Sequence, residues 1–334
     1  MATVDQKQVS ADEQGMRLDR WFKVHFPGLG FGQLQKLLRS GQIRVDGARA
    51  KSDTRLQQGQ TLRLPPPVTA LAADGPGPLT GPLTAHTIRD KNDLDVLKAM
   101  TLYEDRKVIV FNKPAGLAVQ GGSGLRRHVD RMLEAMRDKK GEKPRLVHRI
   151  DRDTSGVLVV ARTRGAAAFL TREFRSRNTE KTYWAIVKGV PKPREGRISN
   201  WLAKSRDENG DDRMMVVRHG TPDADHAISE YRVIETSGPN LAWVELKPET
   251  GRTHQLRVHT QSIGHPIIGD PKYFDIENWQ LPGGIQNKLH LHARRIRIAH
   301  PDGGIIDVSA PLPPHMVQTW NLLAFDPDSE LDSE

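Results

Sequence analysis

The chain has 334 residues, of which 37% are hydrophobic, so it is long enough for about two soluble domains with buried cores. It has no cysteine, which excludes disulfides, thiolate metal ligands and a cysteine nucleophile. Its 50 Lys and Arg exceed its 41 Asp and Glu and give a net charge of +9, which favours a polyanionic partner such as nucleic acid. No apolar run approaches the ~20 residues of a membrane span, and no signal or transit pattern is present, so we expect a cytoplasmic protein with no membrane partner.

The first predicted module spans residues 16–66 and has an ααβ order. Apolar residues at helical spacing predict helices over 17–26 and 31–40, and Gly41 occupies the position that ends the second. An Asp46-Gly47 turn and short strands follow. The module contains ten Lys and Arg against three Asp. Six of these cations are expected to form a basic, RNA-binding face: Arg17, Arg20, Lys23, Lys36, Arg39 and Arg44.

A Pro/Gly-rich linker that ends in a short helix is predicted over residues 67–100, and a second domain over 101–325. Strand patterns in this domain often follow one another without a crossover helix. This order predicts an α+β fold with a predominantly antiparallel mixed sheet. Residues 125–140 are predicted to be helical, residues 204–226 to be an irregular exposed insertion, and the acidic segment 326–334 to be a disordered tail.

The run HRIDRDTSG over residues 148–156 leads directly into an apolar segment that is typical of a buried strand. Asp151 therefore lies just before a turn, with Arg149 and Arg152 beside it. Cationic neighbours keep a carboxylate ionised, and an ionised Asp suits nucleophilic attack better than acid catalysis. The alternative is that Asp151 or Asp153 only initiates the turn.

Two further motifs accompany Asp151. Tyr183 lies on a predicted strand over 180–188, where a tyrosine usually serves packing. Residues 250–266 predict a capped helix on which His254 and Arg257, three residues apart, point to one side. This cluster is equally consistent with a phosphate-binding surface that takes no part in catalysis.

Four stretches, HRIDRDTSGVLVVA, EKTYWAIV, ETGRTHQLRVH and HPIIGDPKYF, resemble in order and spacing the motifs of the RluA-type pseudouridine synthases. The run RLDRWF…LQKLLRSGQIRVDG resembles the RNA-binding domain of small-subunit ribosomal protein S-four. In this combination the chain resembles the C type of the family, which acts on bacterial 23S ribosomal RNA. The resemblance implies isomerisation of uridine to pseudouridine by base flipping, aspartate attack, uracil rotation and reattachment through C5, with no metal and no cofactor.

The resemblance also assigns roles to individual residues. Asp151 matches the attacking aspartate, Tyr183 the tyrosine that stacks on the uracil, and Arg257 the arginine that pairs with the aspartate. Arg149 matches a base-flipping position, and Arg252 and His254 are expected to contact RNA. The implied partner is large-subunit ribosomal RNA or its assembly intermediate, and we expect a monomer.

Three alternatives stay open at this point. In the first, the substrate is transfer RNA instead of ribosomal RNA. In the second, the chain is an assembly factor that binds ribosomal RNA without catalysis. A metal-dependent ribonuclease would instead use His148, Asp151 and Asp153 as metal ligands.

Overall fold

The computed structural model describes residues 5–10, 13–26, 29, 31–65, 68, 85–121, 127–138, 141–176, 178–206, 212–274 and 283–327. The chain forms two compact units, Met1–Pro82 and Leu83–Glu334. Half of the predicted linker (67 and 69–84) and the predicted tail from 328 onward lie outside the described residues. Among those described, no helix is long and apolar enough to cross a bilayer.

The first unit packs two short helices against a small antiparallel sheet. Helices α1 (Leu18–His25) and α2 (Phe31–Arg39) form where periodicity predicted them. The strands are β1 (Asp5–Gln8), β2 (Arg44–Val45), β3 (Ala48–Arg49) and β4 (Thr61–Leu64), in the order β1-β4-β2-β3. Asp46 and Gly47 both adopt positive φ, 48° and 76°, which is the two-residue hairpin geometry that this pair favours.

Strand β1 precedes residue 16, where sequence analysis placed the start of the module. Its sequence, Asp-Gln-Lys-Gln, has no apolar alternation, so no local pattern marks it as a strand. It forms by pairing with β4, more than fifty residues further along, from Asp5↔Leu64 to Gln8↔Thr61. Long-range backbone pairing therefore decides this element.

The second unit is built on one large mixed sheet, in the order β11-β10-β12-β13-β9-β14-β8-β6-β5, with β15 on β14 and β7 on β8. Of the pairings between these described strands, β14–β8 is parallel and the rest are antiparallel, so the predicted α+β fold with a predominantly antiparallel sheet is confirmed. The strands are β5 (Thr101–Glu104), β6 (Val108–Lys113), β7 (Arg145–Leu146), β8 (Ser155–Ala161), β9 (Glu180–Lys188), β10 (Glu195–Arg206), β11 (Asp212–Val217), β12 (Asp225–Ser237), β13 (Leu241–Pro248), β14 (Leu291–Ala299) and β15 (Ile305–Ser309).

Five helices of the second unit are described: α3 (Ala85–Ala99), α4 (Val129–Met132), α5 (Arg164–Arg175), α6 (Gln255–Ser262) and α7 (Pro314–Leu323). Helix α5 begins where the hydroxyl of Thr163 accepts the backbone N–H of Ala166. The predicted helix over 125–140 is wrong in length. Helix α4 has a single turn and continues only as a 3-10 turn over Leu133–Met136.

The predicted irregular insertion over 204–226 is wrong for most of its described residues. They continue β10, form all of β11 and begin β12, with an antiparallel hairpin from Trp201↔Val217 to Arg206↔Asp212, whereas residues 218–224 are turns, as predicted. Residues 207–211 lie outside the described part of the chain. Strand β11 is the edge of the sheet and is mostly solvated, with Met215 and Val216 exposed, so it lacks the buried alternating face that sequence patterns detect.

Gly156 determines how the loop that carries Asp151 joins the sheet. It is the second residue of β8 and lies at the parallel contact with β14, where Gly156 pairs with Ala293. A Cβ at this position would lie 2.2 Å from the carbonyl oxygen of Ala293, and the φ of +108° is one that other residues rarely adopt. The close approach of the two strands therefore requires glycine here.

Candidate active site

One cavity of about 450 Å³ collects the predicted site residues of the second unit. Asp151 lies in the loop before β8, Tyr183 on β9, and His254 and Arg257 at the start of α6. Strand β14 lies between β8 and β9 and brings these elements together. All six predicted residues line the cavity: Arg149, Asp151, Tyr183, Arg252, His254 and Arg257.

Arg257 lies close to Asp151 but is held by a different carboxylate. Its Nη1 is 3.5 Å from Oδ2 of Asp151, which is beyond good hydrogen-bond distance. Its Nε and Nη2 each donate to an oxygen of Asp270 at 2.7 Å, and both side chains of this pair are buried. Burial opposes the charge of Arg257, but the hydrogen bonds and charge of Asp270 outweigh it and raise the pKa of the guanidinium.

Sequence analysis did not identify Asp270 as part of the site, although it lies in the quoted stretch HPIIGDPKYF. Its bidentate contact locks the rotamer of Arg257 before any substrate arrives. Asp151 thus receives a nearby positive charge, while its oxygens are not committed to a short ion pair. Such an arrangement suits an anionic carboxylate that has to attack a substrate.

Tyr183 forms part of the cavity wall near Asp151. Burial, reinforced by the charge of Asp151, raises the pKa of the Tyr183 phenol well above its usual range. The phenol is therefore neutral at neutral pH. It offers an aromatic face for stacking and an O–H that donates a hydrogen bond.

His254 sits in a left-handed conformation (φ 53°) at the start of α6 and is held by Tyr273. The Tyr273 hydroxyl accepts the backbone N–H of Met214 and lies 2.9 Å from Nδ1 of His254, so we assign the hydroxyl as donor to that nitrogen. Burial lowers the pKa of His254. The guanidinium of Arg257 also lies over the Tyr273 ring, 5.1 Å from its centroid. Sequence analysis missed Tyr273, which supports two predicted site residues at once.

Arg252 and Arg149 occupy the more open parts of the cavity. The Nε of Arg252 donates to the His226 carbonyl and its Nη1 lies 3.3 Å from Asp225, so the start of β12 holds this side chain. Arg149 is exposed, and in the part of the chain that the structure describes it forms no ion pair. Its charge is therefore available to a substrate.

A buried lysine that sequence analysis did not single out fixes the loop of Asp151 from behind. Nζ of Lys113 donates to the carbonyls of Pro114, Leu117 and Arg152 at 2.8–2.9 Å. Burial lowers the pKa of Lys113 to about 7, although the charges of Asp153 and Asp151 act in the opposite direction. Three donated bonds require the ammonium form, which ties the loop to the end of β6.

The three ligands of the alternative metal site do not come together. Nε2 of His148 accepts the N–H of Val159, and its ring stacks on Phe174 at 4.2 Å. Burial, with the nearby charge of Lys181, lowers the pKa of His148 to about 3. Within the described ranges no three His, Asp or Glu side chains are grouped as metal ligands.

The basic residues of the first unit differ in exposure. Arg20, Lys36 and Arg39 are exposed, and Arg17 is exposed but pairs with Asp19 at 2.7 Å. Arg44 is half-buried and donates to the carbonyls of Gly41 and Gly47, so it also stabilises the hairpin. The side chain of Lys23 lies outside the described part of the structure.

Comparison with known proteins gives a consistent set of relatives. The RNA pseudouridylate synthase family matches residues 107–262. The ribosomal large subunit pseudouridine synthase C of Haemophilus influenzae is 36% identical over 304 residues, which cover 91% of this chain and 89% of that protein. Its counterpart in Escherichia coli is 35% identical, with 91% and 92% covered. The structure of human RNA pseudouridylate synthase domain containing 4 superposes with a TM-score of 0.59 and 29% identity, and covers 71% of this chain and 97% of that one.

Proposed function

The chain belongs to the RNA pseudouridylate synthase family, and on that premise we propose that it isomerises specific uridines of large-subunit (23S) ribosomal RNA to pseudouridine. The observation that carries the proposal is the cavity in which Asp151, Tyr183 and the Asp270-held Arg257 face one another. The relatives named above, two of them large-subunit synthases, support the choice of RNA. We expect a cytoplasmic monomer whose partner is this RNA or an assembly intermediate.

The proposed reaction begins with extrusion of the uridine, since its base is inaccessible within a stack. Arg149 fills the gap that the base leaves, while Arg252 and His254 contact the RNA at the cavity. Asp151 attacks the nucleotide as the ionised nucleophile, and the bond that it forms breaks again before the product leaves, which restores the free carboxylate. Arg257 keeps the charge and direction of Asp151. Tyr183 stacks on the uracil during its rotation.

The bonds balance without a cofactor. The N1–C1′ bond breaks, a C5–C1′ bond forms, C5 loses a proton, and N1 ends with one. No net oxidation or reduction occurs and the uracil stays enclosed, so the reaction needs confinement and orientation, which the cavity supplies.

The first unit is proposed to bind RNA through its exposed cations, as its S-four-like pattern implies. The full-length triple variant Arg20→Gln, Lys36→Gln, Arg39→Gln should bind the substrate RNA more weakly and with a shallower salt dependence, since each lost phosphate contact lowers the slope of log K against log salt by about 0.7–0.9. The single-turnover rate at saturating enzyme should be unchanged. An unaltered salt dependence of binding would contradict the proposal that this face binds RNA.

The central experiment measures tritium release from uracil C5 when the protein meets C5-labelled, unmodified 23S RNA in the presence of a chelator. We expect release by the wild type, none by Asp151→Ala, and near-normal release by the control Asp153→Asn, which alters the same turn. Release by Asp151→Ala would refute the assignment of Asp151 as the nucleophile. Release from transfer RNA alone would show that transfer RNA is the substrate. Release from neither RNA would favour an assembly factor without catalysis.

A further inference from the structure

Lys181 is a half-buried cation on the cavity wall that the proposed chemistry does not use. It lies on β9, two residues before Tyr183, and both side chains line the cavity. No described residue forms a hydrogen bond or ion pair with it. Burial alone lowers the pKa of Lys181, and no neighbouring carboxylate opposes that effect.

An ammonium in this position destabilises the protein unless something compensates it. Desolvation of a charge is unfavourable, and buried charges in proteins are normally paired. The charge of Lys181 also contributes to the lowered pKa of its neighbour His148, which is consistent with a cation at this place in the wall. The presence of this cation in the cavity wall is best explained if an anionic group of the substrate compensates its charge.

The cavity wall around Lys181 carries two further cations that have no ion-pair partner in the described part of the chain. Arg149 and Arg175 also line the cavity, both are exposed, and neither forms an ion pair within the described residues. Asp151 does not serve as the missing counterion, since the ion pair that it forms among the described residues is with Arg257, at 3.5 Å. Lys181 therefore has no counterion among the described residues.

We propose that Nζ of Lys181 binds a phosphodiester group of the RNA beside the flipped uridine, with Arg175 contributing at the rim. The proposal rests on the proposed function and adds a backbone-recognition site to it. Residues i and i+2 of a strand are about 7 Å apart on one face. This spacing suits a nucleotide whose base lies over Tyr183 and whose phosphate lies over Lys181.

The protein side of the test compares Lys181→Met and Lys181→Arg with a control, Lys188→Met, near the other end of the same strand and outside the cavity. Lys181→Met should weaken binding of the 23S RNA fragment by about tenfold, the usual effect of losing one charge-assisted hydrogen bond. Its salt slope should fall by about 0.7–0.9, the value of one phosphate. Lys181→Arg and Lys188→Met should bind nearly as the wild type does.

The melting temperature of Lys181→Met distinguishes a role of Lys181 in RNA binding from a structural role. Since methionine keeps the aliphatic stem and removes an uncompensated charge, Lys181→Met should melt at the same or a higher temperature than the wild type. A lower melting temperature with an unchanged salt slope would mean that Lys181 is structural, and would overturn the proposal.

The RNA side uses the fragment with a single neutral methylphosphonate on the 5′ or the 3′ side of the modified uridine. One of these should weaken wild-type binding by about tenfold and leave Lys181→Met unaffected, because the contact is already lost. Independent, additive losses at both positions would overturn the site. If the wild type modifies the fragment and Lys181→Met binds like it, only this inference fails. If the wild type forms no pseudouridine, the proposed function is wrong, and the inference that depends on it is wrong as well.

Discussion

The buried pair of Arg257 and Asp270 organises the site at the scale of single residues. Both side chains are almost inaccessible, and their two 2.7 Å hydrogen bonds leave Nη1 of Arg257 facing Asp151 at 3.5 Å. Removing one member of a buried pair leaves an uncompensated charge. We therefore expect the function and stability of the site to depend on a carboxylate that does not itself line the cavity.

Asp270→Asn is expected to lower the free energy of unfolding by about 3–5 kcal/mol, as does breaking a buried ion pair. The single-turnover rate should fall by about 100-fold, because Arg257 loses its fixed direction toward Asp151. Urea unfolding and rapid-quench tritium release measure the two effects.

A matched control is Asp307→Asn. Asp307 makes the same bidentate contact, with Arg295 at 2.7 Å, but both side chains are more than one-third exposed. This change should cost less than about 1 kcal/mol and leave the rate unchanged. Equal losses from both substitutions would show that burial does not decide the role of Asp270.

At the scale of elements, the parallel contact between β8 and β14 sets the position of the loop that carries Asp151. The contact is short, from His292↔Ser155 to Ala293↔Gly156, and it sits directly after the Asp151 turn. Behind the loop, Lys113 ties the carbonyl of Arg152 to the end of β6. Two independent restraints therefore hold this turn, as the orientation of a nucleophile requires.

Gly156→Ala is predicted to disrupt this contact. The added Cβ would meet the Ala293 carbonyl at 2.2 Å, and alanine is strained at a φ of +108°. Together, overpacking and backbone strain should cost about 2–5 kcal/mol, with a large loss of activity. Chemical unfolding and tritium release are the measurements.

Gly303→Ala is the control for Gly156→Ala. Its φ of +95° is similar, but an added Cβ would meet nothing within 4 Å, so only the backbone strain remains. We expect a cost of about 1–2 kcal/mol and normal activity. If the two alanine variants were equally stable, the close approach of β8 and β14 would not be the reason for glycine at residue 156.

At the scale of the whole molecule, neutral histidines in the second unit make its stability depend on pH. Burial lowers the pKa of His148 to about 3, and the pKa values of His259, His290 and His292 to about 4. In the unfolded chain these groups titrate near a pKa of about 6.5. Between those values the unfolded chain binds protons that the folded chain does not.

The free energy of unfolding should therefore decrease as the pH falls from about 6.5 to 4, by up to about 1.4 kcal/mol per pH unit for each histidine. Urea unfolding at pH 7, 6, 5 and 4.5 measures this slope. His290→Asn should reduce the slope, because it removes one of the four buried histidines. A stability that is flat over this range would mean that the four histidines are protonated in the fold.

Local patterns in the sequence determined a substantial part of this protein. Helical periodicity predicted α1 and α2, the residue types of 180–188 predicted the strand that carries Tyr183, and the Asp-Gly pair predicted a tight turn, because each depends on residues within a few positions of one another. The order of four motifs also indicated the family, and with it Asp151, Tyr183 and Arg257 as candidates.

Only the tertiary structure decided which groups meet across the sheet. The contacts of Asp270 with Arg257, Lys113 with Arg152 and Gly156 with Ala293 join segments 13 to 137 residues apart, and β1 exists through pairing with the distant strand β4. Lys181 belongs to the same class, since only the folded structure shows that no described residue serves as its counterion. Such relations depend on strand order and on burial of charge, which arise when the whole chain folds and leave no periodic signal in the sequence.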